Sequence, residues 1–179
     1  LSTGGFLLEI SKNYKLKKPL IIYNNFSNLL KETIVNYKNL IILNENSELN
    51  LINYINNSSR ENFMVNTVEN IKMKKNSSLN NILINNSKCN GYFYKYIKCD
   101  LEKNSSLENY LISSGFKFNK LDIEINLNEE YSKSSVFSAL NLMNNEHQEI
   151  KTRINHNAPH CHSYQKVKNV LNNESKGIY

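Results

Sequence analysis

The chain has 179 residues, a formal net charge of +6, two prolines, five glycines and no tryptophan. That length holds one domain with a real core, read as a single unit over 1–179. No stretch approaches the roughly 20 apolar residues a membrane helix needs, and the first residues lack the charged-then-apolar layout of a secretory leader.

Asparagine is the most deviant residue, at 34. Together with Ile, Leu and Lys it dominates in the manner of an AT-rich genome. The N-x-S/T matches at Asn25, Asn57, Asn76 and Asn104 are read as products of that bias. The lysines are scattered. Their densest runs, Lys72, Lys74 and Lys75 and then Lys15, Lys17 and Lys18, are too short for a nucleic-acid face and read as solvated surface. Cys89, Cys99 and Cys161 are odd in number and widely spaced, which speaks against a disulfide framework and for a reducing compartment.

In chain order, "GGFLLEISKNYKLKKPLIIYN" (4–24) reads as a strand, a polar turn and a second strand begun by Pro19. "FSNLLKETIVNY" (26–37) is the one place where a short helix competes with a loop leading into a strand. A repeat follows. "NENSELNLINY", "KKNSSLNNILI", "EKNSSLENYLI" and "YSKSSVFSAL" are centred on Leu49, Leu79, Leu107 and Val136, with a short apolar-alternating run before each. In "LDIEINL" (121–127), Ile123, Ile125 and Leu127 alternate with Asp122, Glu124 and Asn126, a period of two that marks a half-buried strand.

Each unit therefore reads as strand, tight turn, strand. A fixed period near 29 residues without helices predicts an all-β parallel β-helix, or β-solenoid. The unit is expected to hold two coils of 14 or 15 residues. Leu49, Leu79, Leu107 and Val136 should stack as one apolar column, with Leu83, Leu111 and Leu140 four residues on. Asn81, Asn109 and Ser138 should form a polar column between them, where stacked asparagines can hydrogen-bond along the ladder. The start at Leu1 and the stop at Tyr179, within an apolar pattern, give the expectation of an internal fragment cut at its C-terminal end.

The period predicts a fifth unit near residue 150, and "INHNAPHCHSYQKVKNVLNNESKGIY" occupies it. His156, His160, Cys161 and His162 invite a metal reading. Strand alternation would send His160 and His162 to one face and Cys161 to the other, and the spacing matches no standard zinc module. His160, Cys161 and His162 remain the only candidates for metal. The competing reading is a turn with polar side chains on backbone groups and the cysteine packed as a small apolar residue. No phosphate-binding loop, nucleophile elbow or acidic pair is present.

This last segment resembles the SufB/SufD family of iron–sulfur cluster assembly scaffolds, and the D subunit most. The matching residues are His156, Pro159, His160, Cys161, Ser163, Gln165, Lys168, Val170, Leu171 and Gly177. Ile10, Asn13, Leu16 and Pro19 fit the family's approach to its core. The resemblance implies a right-handed parallel β-helix. It implies a non-catalytic scaffold with a SufB-like partner and a SufC-like ATPase, and a cluster held transiently by the whole complex with no cofactor on this segment. Eukaryotic members work in plastids, so an apicoplast-like organelle is expected, with the cytoplasm as the alternative. Two other readings of a β-solenoid are an enzyme acting on polysaccharides and a secreted adhesin.

Overall fold

A computed structural model describes every residue except Leu1, Thr3, Asn28, Ser58 and Arg60, and every remaining side chain except those of Asn57, Ser87, Lys88 and Cys89. The Asn57 sequon and the Cys89 thiol therefore lie outside the described residues. Eleven strands run in chain order: β1 (Leu7–Ile10), β2 (Leu20–Phe26), β3 (Thr33–Leu43), β4 (Glu48–Asn57), β5 (Phe63–Met73), β6 (Ser78–Leu101), β7 (Ser106–Leu127), β8 (Lys133–Leu142), β9 (His147–His156), β10 (His162–Leu171) and β11 (Lys176–Ile178). No helix occurs among the described residues, and 26–37 resolves into the end of β2, a turn and the start of β3.

The strands pair in parallel and wind into a β-solenoid of about 6 turns. One wall is β2, β4, the first part of β6 and of β7, β8 and β10. The other is β1, β3, β5, the second part of β6 and of β7, β9 and β11. The long strands β6 and β7 bend round one corner and belong to both walls.

The registers correct two expectations. Leu49 lies opposite Leu79, and Leu79 opposite Leu107, so each unit is one coil with a strand on each wall rather than two coils. Leu107 then lies opposite Ser134, while Val136 lies opposite Asn109, Ser138 opposite Leu111 and Leu140 opposite Ser113. The anchor column is therefore Leu49, Leu79, Leu107 and Ser134, and Asn81 and Asn109 are continued by Val136 rather than by Ser138. Val136 is buried all the same, because a shift of two residues keeps a side chain on the same face.

The core fills the space between the walls. Leu43, Met73, Leu101 and Leu127 stack in register along one row, and Ile41, Ile71, Cys99 and Ile125 along the next. Identical inward positions two residues apart give a strand its period, and their repetition in every coil gives a continuous apolar column. Phe26, Phe63, Phe93 and Phe116 form a second cluster at the other corner, with Phe93 and Phe116 ring centroids 4.4 Å apart.

Asparagine has two structural jobs here. At the tight corner, Asn13, Asn46, Asn76 and Asn104 all adopt positive φ, 56–63°. This left-handed backbone suits asparagine better than most side chains. Their amides form a ladder: Asn46 donates to Asn13 at 2.9 Å, Asn76 to Asn46 at 2.9 Å and Asn104 to Asn76 at 3.1 Å. The serine after each of the last three is buried, and Ser47, Ser77 and Ser105 each donate Oγ to the carbonyl three residues back at 2.6 Å.

Asn76→Ala therefore loses two ladder bonds and forces alanine into a left-handed conformation. The expected loss is about 2 to 3 kcal/mol, the conformational part being about 1 to 2. Asn76→Gly loses only the ladder bonds and should cost less than half as much in a urea unfolding midpoint. Equal costs for the two variants would contradict the conformational part.

On the outer face of the second wall, two tyrosines of β6 meet carboxylates of β7. Tyr94 donates its hydroxyl to Asp122 at 2.8 Å and Tyr96 donates to Glu124 at 3.0 Å. The carboxylate bonded to Tyr94 raises its phenol pKa; burial and then the Glu124 bond raise that of Tyr96; on the first wall, the bond to Glu108 raises that of Tyr110. A folded pKa above the unfolded value of about 10 gives stability that is complete below pH 10 and lost as pH rises further. The melting temperature should fall between pH 9.5 and 11.5, and less steeply in a Tyr94→Phe, Tyr96→Phe variant. An unchanged slope in that variant would assign the alkaline loss elsewhere.

Candidate functional site

The segment 156–165 sits at the same tight corner, one coil beyond the turn Asn128–Lys133. Leu127 lies opposite His156 and Lys133 opposite His162, so the residues between correspond one for one. Asn157 donates its amide to Asn128 at 2.9 Å, continuing the ladder habit of the earlier coils. Pro159 then corresponds to Glu130, His160 to Tyr131 and Cys161 to Ser132.

Each residue suits its place. Pro159 has a fixed φ near that of the second position in a turn. His160 takes the left-handed corner position at φ 60°, as Tyr131 does at 63°, and the two rings lie nearly parallel with centroids 5.0 Å apart. Cys161 replaces the corner serine. It is half-buried against the apolar core, with Sγ 3.2 Å from Ser132 Oγ and 3.4 Å from the Glu129 carbonyl.

His162 is the exposed first residue of β10. His160 and Cys161 thus belong to the turn, and strand alternation does not apply to them. They part because one ring stacks on the corner aromatic and one thiol packs toward the core. Among the described residues, no three His, Cys, Asp or Glu side chains are grouped to hold a metal ion.

The other signature residues tie the last coil together. His156 Nε2 is 3.0 Å from Ser163 Oγ across the turn. Gln165 accepts from the Thr152 hydroxyl and the Tyr179 hydroxyl, and these two oxygens are 3.0 Å apart. That links β9, β10 and the residue after β11. Gly177 has a packing reason: a Cβ there would lie 3.2 Å from both Asn169 Nδ2 and Leu171 Cδ2. Lys168 is exposed on β10, opposite Ala139.

A parallel β-solenoid with a Pro-His-Cys corner in a coil closed by Gln165 defines a β-helical core protein. The family model for the SUF system FeS cluster assembly, SufBD core domain, matches residues 25–179. The chain belongs to this family, and so to proteins involved in iron–sulfur cluster assembly. No curated protein matches the chain.

Proposed function

We propose that the chain is the β-helical core of a SufD-type scaffold subunit. The supporting observation is the corner Pro159-His160-Cys161 with Gln165 four residues on, a combination nearest the D pattern. On this reading it pairs with a SufB-like subunit and a SufC-like ATPase. It does no hydrolysis itself, and the nascent iron–sulfur cluster is cargo of the whole complex rather than a resident cofactor. The signature residues act by shaping the corner and the last coil. The side chain of Cys161 is occupied in packing, and the metal reading of His160, Cys161 and His162 has no converging geometry behind it. Nucleic acid has no part in this function, and the place of work is a plastid-type organelle.

Affinity isolation of the native protein under mild conditions tests the reading. It should recover an ATPase subunit and a second β-helical subunit, and a tagged protein should localise to the plastid-type organelle. Recovery of the protein without any ATPase subunit would sink the assignment.

A further inference from the structure

Between the walls near the first coils the packing is interrupted by a cavity of about 270 Å³. Protein interiors rarely leave voids larger than a water molecule, whose share of liquid volume is about 30 Å³. An ion pair lies in its lining. Lys95 Nζ is 3.0 Å from Glu69 Oε2, the Glu69 side chain is fully buried and that of Lys95 is 14% exposed. Period two places both inside the solenoid, on β5 and on β6. The ammonium has three donors, and Glu69 is its one hydrogen-bond partner among the described residues. Thr67, opposite Lys95, lines the cavity with Asn39, and Tyr37, Ile55 and Phe93 supply apolar surface.

We infer that this cavity is a binding site for a small uncharged molecule with an amide or similar carbonyl head and an apolar body. The carbonyl would accept from the free Lys95 donors, and the body would lie along Tyr37, Ile55 and Phe93. The absence of charge follows from the pair. Glu69 already neutralises Lys95, so a charged guest would add an uncompensated charge to the interior. A mainly apolar pocket with a few convergent polar groups is the usual build of a small-molecule site.

The test is a titration of the full-length protein with benzamide, benzoate and benzylamine, followed by ligand-observed NMR. Benzamide should bind saturably, and the two charged analogues at least tenfold more weakly. Thr67→Phe fills the void, so it should abolish binding without lowering the melting temperature. The double variant Glu69→Leu, Lys95→Met keeps an apolar lining and should weaken benzamide at least tenfold. No saturable benzamide binding, equal binding of the charged analogues, or benzamide affinity retained in the double variant would each overturn the proposal. So would a lowered melting temperature in Thr67→Phe, since it would mean that there is no void to fill.

Discussion

Asn81→Leu should destabilise the protein by about 2 to 6 kcal/mol, although it replaces a buried residue by an apolar one of similar size. Asn81 is the middle rung of an interior ladder. Its Oδ1 accepts from Asn53 Nδ2 at 3.2 Å, and its Nδ2 donates to Asn109 Oδ1 at 3.1 Å. All three side chains are buried. Leucine at this position leaves one buried donor and one buried acceptor without partners, at about 1 to 3 kcal/mol each. Asn109 Nδ2 already has no partner among the described residues, so the ladder has nothing in reserve at that end. Replacing Asn53, Asn81 and Asn109 all by leucine removes the orphans with the bonds, and should return most of the loss. Guanidinium unfolding of the single and triple variants decides the matter. A triple variant less stable than Asn81→Leu would show that the ladder is worth more than the desolvation it covers.

Much of this interior was legible in the sequence. Period two and a repeat near 29 residues gave parallel coils, and the pairing of Asn81 with Asn109 followed from stacking Leu79 on Leu107. Asn53 was missed because its Cα lies opposite Leu83, and only its side chain leans to Asn81. The slip at Val136 has a physical origin. Apolar character does not mark the anchor, because the turn fixes the register. Counting from the corner residue instead, Asn46, Asn76, Asn104, Tyr131 and His160 occupy successive coils at positive φ, with Ser47, Ser77, Ser105, Ser132 and Cys161 following them. That alignment puts Ser134 at the anchor and makes Pro159-His160-Cys161 a variant of the common corner. The signal was present in the repeated Asn-Ser pairs, but Tyr131 and His160 hid it where the asparagine is replaced. The number of coils per unit is hidden for a different reason: a strand-turn-strand unit does not reveal whether its two strands share a wall.

Lys95→Met should cost about 3 to 5 kcal/mol, the usual cost of leaving a buried charge without its partner. The sequence held a signal for this pair. Ile71 and Met73 point inward, so counting back by two puts Glu69 inside, and Ile97 and Cys99 do the same for Lys95. The general preference of charges for water argued the other way, and at this site it loses because the two charges face each other across adjacent coils. Methionine matches the length of lysine but carries no charge, so neither oxygen of the fully buried Glu69 would have a partner. Glu69→Leu combined with Lys95→Met removes both charges and should fall within about 1 kcal/mol of the parent, because the pair's attraction and its desolvation nearly cancel. The coupling in this double-mutant cycle would then be of the order of the single loss. A double variant as unstable as Lys95→Met alone would mean that the pair contributes to stability beyond covering its own burial.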